Sequence, residues 1–149
     1  MTKQEMLDAI ENAKQIHLNQ MDKLKAVIAG KEIKTVIPLA KTECECGLWF
    51  HSHENEIKSV LGLQFFERLD KSHEQWHQDY ASIYNIYFKN EQKKGFFAKI
   101  MGSTNKVDGL LQDKAELYYV ELQKDTEELL NVVEAAKRRI LALGDAKFS

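Results

Sequence analysis

Five histidines and two cysteines carry most of the chemistry this sequence can offer: His17, His51, His53, His73, His77, Cys44 and Cys46. His73 and His77 stand four residues apart. On a helix both rings leave the same face, one turn apart. That spacing lets two imidazoles converge on one ion at about 2.0–2.1 Å. The pattern alone is weak, because it occurs by chance in many helices. His17 lies far upstream, in the middle of an apolar stripe, and can face the pair if the two helices pack antiparallel. A lone histidine on an apolar face is usually an ordinary core residue bonded to a carbonyl. Three of them on the inner stripes of two helices present polar atoms that cost roughly 1–3 kcal/mol each if left unpaired. One shared ion would satisfy all three.

A fourth ligand has to come from elsewhere, and the Cys-containing segment between the helices is the obvious source. Imidazole nitrogens with a thiolate suit zinc, and four protein ligands close a tetrahedral site. Spacing does not decide between Cys44 and Cys46. Whichever thiol is left over is either a small buried hydrophobe or a redox thiol that resolves an oxidised neighbour. A disulfide between residues two apart is strained, so an intermolecular bridge is as plausible. Asp70, three residues before His73, is a candidate carboxylate for orienting that imidazole, or a plain solvent-exposed residue. His51 and His53 read as solvated loop residues. Trp49, Trp76 and the Tyr80, Tyr84 and Tyr87 stripe read as core packing, with the hydroxyls reaching the bundle edge.

Three long helices must position these groups. The first runs from about Lys3 to Ala29, opened by a Thr2–Glu5 capping box and stopped by Gly30. Its stripe is Met6, Ile10, Ala13, His17, Met21, Leu24 and Ile28. Residues 31 to about 62 read as loop with one or two short helical turns; they hold the only proline, Pro38, and both cysteines. A connection this long usually carries function. The second helix runs from about Leu63 to Asn90, with Phe66, Leu69, His73, Trp76, His77, Tyr80, Tyr84 and Tyr87 on its inner face. Lys93, Lys94 and Gly95 break it, and residues 96–102 form a short apolar segment. The third runs from about Thr104 to Leu143, capped by Ser103 or Thr104 and closed by Gly144. Its stripe is Val107, Leu111, Tyr118, Leu122, Leu129, Val133, Ala136, Ile140 and Leu143. A helix of that length implies a break near Gly109 or a projecting end that pairs with another chain.

The composition agrees with an all-α fold. One proline and seven glycines in 149 residues are too few punctuators for a sandwich or barrel. A 44% hydrophobic fraction excludes intrinsic disorder. A net charge of −2, from 21 basic and 23 acidic residues, gives no basic excess for nucleic acid or an anionic membrane surface. No apolar run approaches the length of a transmembrane helix, and the start has no apolar stretch of the kind a secretory signal needs. The expected location is the cytoplasm, where both cysteines stay reduced.

The order His17, then Cys44-Glu45-Cys46-Gly47-Leu48-Trp49, then His73-Glu74-Gln75-Trp76-His77 resembles the chemoreceptor zinc-binding domain of bacteria. That family has a histidine on its first helix, a Cys-x-(Leu/Phe)-Gly-x-Trp motif and a later His-x-x-x-His. The likeness covers roughly residues 10 to 90. Gly47 and Trp49 fix the register, which implies that Cys44 takes the family's zinc-ligand position and Cys46 its apolar Leu/Phe position. Gln20 stands where the family often has an aromatic. The resemblance implies a zinc site of His17, Cys44, His73 and His77 in an antiparallel four-helix-type bundle, one domain over residues 1–149. It further implies a homodimer that is no enzyme itself. Such a domain senses zinc or oxidants and modulates chemotaxis or cyclic-di-GMP signalling, through a partner protein or a fused signalling domain.

Three competing readings remain. An open three-histidine site with a bound water would belong to a metalloenzyme of the DinB-like bundle type, with Cys44 away from the metal. An iron-carboxylate bundle of the haemerythrin or ferritin type would use repeated Glu-x-x-His pairs; Asp70–His73 is a carboxylate–histidine pair of that spacing. A purely structural bundle would hold its histidines as core residues and bind no metal.

Overall fold

The structure, a computed structural model, describes residues 1–31, 38–89 and 108–149. Among the described residues it is all-helical, with five α-helices: α1 (Lys3–Ile28), α2 (Glu45–Ser52), α3 (Glu54–Leu61), α4 (Leu63–Tyr84) and α5 (Gly109–Ala142). A π-helical turn, Asn85–Lys89, continues α4, and a 3-10 turn, Asp145–Lys147, follows α5. None of the helices is long and apolar enough to cross a membrane.

Cross-helix contacts fix the directions. From α1 to α5, Glu11 meets Lys137 at 3.0 Å, Lys14 meets Glu134 at 2.8 Å, and the Ile28 carbonyl accepts from Gln112 at 2.7 Å. Numbers rise on one helix as they fall on the other, so the two are antiparallel. The same holds for α4 and α5, through Arg68–Glu128 at 2.9 Å, the Trp76 indole N–H donating to Thr126 at 2.9 Å, and Tyr87 donating to Gln112 at 2.7 Å. Residues 39–61 run antiparallel to α4, from the Leu39 carbonyl beside His77 to the Phe50–Phe66 stack at 4.4 Å. The result is an up-down-up-down bundle whose second position is filled by an irregular arm plus α2 and α3. It follows that α1 and α4 run parallel and face each other across the core, where Gln20 donates to the Tyr80 hydroxyl at 3.4 Å. The expected antiparallel packing of His17's helix against that of His73 and His77 is therefore corrected. The connection that reverses the chain twice makes the two helices parallel, and His17 still faces the pair.

Local chemistry sets the ends. The Thr2 hydroxyl accepts from the Glu5 N–H at 3.2 Å while the Glu5 carboxylate accepts from the Thr2 N–H at 2.7 Å, the reciprocal box that satisfies two orphan donors. Gly62, at φ 89°, turns α3 directly into α4, a conformation that a side chain would strain. Asp108 caps α5, its carboxylate accepting from the Leu111 N–H at 3.0 Å. Gly109 therefore opens this helix rather than interrupting it, and the expected caps Ser103 and Thr104 lie outside the described residues. So do Val107, the break at Lys93–Gly95 and the segment 96–102. α5 is 34 residues long.

The core gathers Met6, Ile10 and Leu24 from α1, Phe50 and Ile57 from the short helices, Trp76, Tyr80 and Ile83 from α4, and Leu122, Leu129, Val133 and Ile140 from α5. Gln20 and Val27 are buried and Ile28 only partly so, a slight rotation of the expected stripe. The Tyr80 hydroxyl lies inside the bundle instead of reaching its edge, because Gln20 gives it a polar neighbour there.

Candidate metal centre

Four side chains from three segments meet in the middle of the bundle. His17 comes from α1, Cys44 from the N-cap of α2, and His73 and His77 from successive turns of α4. All four are buried, and one ligand atom from each lies within 4.8 Å of the others, the group of this kind among the described residues. The His73 Nε2 stands 3.3 Å from the Cys44 Sγ and 3.1 Å from the His77 Nε2. Two nitrogens on a tetrahedral zinc ion lie about 3.3 Å apart, and a nitrogen and a sulfur about 3.6 Å. The two contacts of His73 are close to those spacings, and all four donor atoms lie within reach of one ion.

Hydrogen bonds set the tautomers. The His17 Nδ1–H donates to the Ala13 carbonyl at 2.7 Å, and the His77 Nδ1–H donates to the Leu39 carbonyl at 2.9 Å. Each bond leaves the Nε2 lone pair for the cluster, as in metal sites where a second group orients the imidazole. The His17 Nε2 is buried with no hydrogen-bond partner. A buried acceptor without a partner is expensive, and an ion placed among these four atoms would supply one.

Burial also keeps the imidazoles neutral. Desolvation pushes His17 below its ordinary value, against the raising effect of the Ala13 carbonyl. It drives His73 down to about 2, helped by neighbouring His17 and His77. It lowers His77 to about 4, opposed by the Leu39 carbonyl. Neutral imidazole is the ligating form. Burial pushes the Cys44 thiol up, opposed by nearby backbone N–H groups; metal binding would require it to lose its proton. Three nitrogens and one sulfur in a closed, buried arrangement suit Zn²⁺.

Gly47 explains how Cys44 is placed. Its N–H donates to the Cys44 Sγ at 3.2 Å, so the sulfur caps α2. A Cβ at Gly47 would fall 1.5 Å from the Lys41 carbonyl oxygen, so the arm before Cys44 folds over a residue that has no side chain. The same carbonyl accepts from the Cys44 thiol at 3.3 Å.

The other expected residues lie elsewhere. Cys46 is outside the cluster, half-buried beside a small apolar cavity of about 20 Å³ that Trp49, Phe50, Leu69 and the rings of His17 and His73 also line. Burial pushes its thiol up to about 12, which suits a small hydrophobe better than a reactive thiolate. Asp70 turns its carboxylate to Lys41, at 2.8 Å, and to His51, at 3.6 Å, rather than to His73. The cause is the arm carrying Lys41, which brings a cation to Asp70. His51 and His53 are not solvated loop residues. His51 belongs to α2 and His53 closes it, both half-buried, and the His53 Nδ1 lies 3.0 Å from the Trp49 carbonyl. The polar run 51–56 hid two eight-residue helices, α2 and α3, whose inward residues Phe50, Ile57, Val60 and Leu61 are buried. The carbonyls of Ala13 and Leu39 carry no signal in the sequence, since any residue type supplies a carbonyl. Lys41 likewise had no signal in its spacing.

Residues 17–84 match the family model of the chemoreceptor zinc-binding domain. Neither a curated protein nor a solved structure matches the chain. The matched stretch opens on His17 and includes Cys44, His73 and His77. All four donors of the cluster thus fall within the stretch that is similar to that domain.

Proposed function

We propose that the chain is a regulatory zinc-binding bundle domain spanning residues 1–149, with His17, Cys44, His73 and His77 as its ligands and no catalytic role of its own. One observation carries the reading: four buried donors converge within 4.8 Å, one of them, the His17 Nε2, otherwise unpaired. The Cys44 Sγ at 3.3 Å from the His73 Nε2 closes the fourth position. That argues against an open, water-bearing site of the enzymatic kind. Two carboxylate–histidine pairs of the iron-bundle spacing are present, Asp70–His73 and Glu74–His77, but both carboxylates turn to Lys41.

In this reading the metal links α1 to α4 across the core, because His17 is the ligand from α1. Zinc supplies binding free energy to that closed arrangement. His17 then carries the response: without it α1 is held to α4 by packing alone. Cys44 carries the sensitivity, since oxidation of a thiolate to sulfenic acid removes the charge that holds the ion. A docked or fused signalling protein would read the change in α1. Zinc itself or an oxidant would be the signal, and chemotaxis or cyclic-di-GMP signalling in the cytoplasm the output. The chain would act as a homodimer. Exposed Leu110, Leu117 and Val120 on α5 support that helix as the pairing surface.

The test is zinc content by elemental mass spectrometry, followed by competition titration, for wild type, Cys44→Ala and Cys46→Ala. One zinc per chain, weakened by Cys44→Ala and not by Cys46→Ala, is expected. Equal retention in Cys44→Ala would move the thiolate out of the shell. No zinc in any variant purified without chelators would return the histidines to the core.

A further inference from the structure

We propose that Lys41 is a positioning residue for the Cys44 sulfur: its ammonium clamps the arm that carries Cys44 onto α4. This deepens the zinc reading and rests on it. The Lys41 Nζ lies 2.8 Å from Asp70 and 3.4 Å from Glu74, two carboxylates one turn apart on α4. The Lys41 and Asp70 side chains are partly shielded, at 18% and 28% exposure, so this pair is less screened than one in open solvent; Glu74 is exposed. Asp70 and Glu74 bracket His73 in sequence, so the clamp attaches the arm to the very turn that carries that imidazole.

The backbone of the same residue touches the sulfur. The Lys41 carbonyl accepts from the Cys44 thiol at 3.3 Å and sits over Gly47, where no side chain stands. Two residues earlier, the Leu39 carbonyl orients His77. The arm from Leu39 to Cys44 thus supplies one ligand and orients another. Besides the Cys44–His73 contact, two ion pairs of Lys41 anchor the arm's side chains to α4. Release of the clamp frees the arm to swing with Cys44. Sulfur detachment then becomes the easy first step in metal loss.

The experiment uses the full chain and two readouts. One is the rate of zinc loss to excess chelator. The other is the rate of maleimide alkylation of Cys44 in the metal-free protein, in a Cys46→Ala background so that a single thiol is read. Lys41→Met should raise both rates about fivefold, the equivalent of one partly shielded ion pair, and Lys41→Arg should restore them. Arg68→Met is the comparison, because it removes an exposed α4–α5 ion pair of similar length, Arg68–Glu128 at 2.9 Å, without touching the arm. A general loosening of the fold would hasten both rates in Arg68→Met as well. Wild-type rates in Lys41→Met, or equal acceleration in Arg68→Met, overturn the positioning role alone. A wild-type protein that binds no zinc overturns it together with the metal reading.

Discussion

Replacing His17 by leucine should change the sign of its effect when metal is added. In the metal-free protein the His17 Nε2 is buried without a partner, and such an atom costs roughly 1–3 kcal/mol. Leucine removes it. Leucine also removes the edge-on contact with Trp76, whose ring centroid is 4.6 Å away, worth about 0.5–1.5 kcal/mol. The Ala13 carbonyl keeps its place in the helix ladder, so losing the Nδ1 bond orphans nothing. The net is a gain of about 1 kcal/mol for His17→Leu without metal, a rise of about 2–4 °C in Tm for a chain of this length. With zinc at a hundred times its dissociation constant, the wild type gains about 2.7 kcal/mol, which His17→Leu forgoes. The wild type should then be ahead by about 2 kcal/mol. The assay is thermal unfolding of both proteins with chelator and with zinc. A His17→Leu protein less stable than wild type under both conditions would refute the reasoning, because it would show the imidazole to be a satisfied core residue.

Two further outcomes follow from the geometry. Gly47→Ala forces a Cβ to within 1.5 Å of the Lys41 carbonyl, so the arm must move. A loss of about 3 kcal/mol, the upper end for overpacking, should accompany lowered zinc content, and unchanged zinc affinity would show that the arm does not set the Cys44 position. Asp125 on α5 faces Asp79 on α4, and burial followed by that neighbour raises its carboxyl to about 7. A folded value above the unfolded one of about 3.9 means its contribution is fully present below pH 3.9 and lost as pH rises through about 7. Glu121 adds to the raising and Lys124 opposes it. Asp125→Asn should therefore stabilise the protein at pH 8 by on the order of 1 kcal/mol, discounted because the pair is partly open to water, and leave it unchanged at pH 3. Urea unfolding at the two pH values reads this, and an equal difference at both would remove the shared proton.

The long helices were legible because their burial is periodic. Met6, Ile10, Ala13, His17, Met21 and Leu24 recur at helical spacing and all are buried. The short helices were not, because eight residues make barely two turns and the polar run from His51 to Glu56 masks the period. Phe50 and Ile57, the residues that anchor them, are separated by that run. The cluster was legible as a set of residue types, since imidazoles on apolar stripes are costly without a common purpose. Its geometry was not. The parallel relation of α1 and α4 depends on the arm with α2 and α3 running against both, and the partners that orient the rings are the carbonyls of Ala13 and Leu39. Asp70 shows the limit most clearly. Three residues before His73 suggested a partner for that ring, but a neighbour in space, Lys41, claims its carboxylate.

The arrangement also sets a bound on how such a site can work. The bundle holds three imidazoles neutral by burying them, which is what a metal needs and what a metal-free core tolerates poorly. Desolvation that takes His73 down to about 2 keeps protons from competing with the ion until the solution is strongly acidic. The thiol behaves in the opposite way: burial raises Cys44, so its proton opposes binding at neutral pH, and binding must expel it. Acidification from pH 8 to 6 should therefore weaken zinc chiefly through the Cys44 proton, and Cys44→Ala should flatten that dependence while lowering affinity. The cluster thus divides its labour. In the proposed site the histidines would supply a proton-resistant floor on α1 and α4, and the arm would bring the one ligand whose proton competes with the ion near neutral pH.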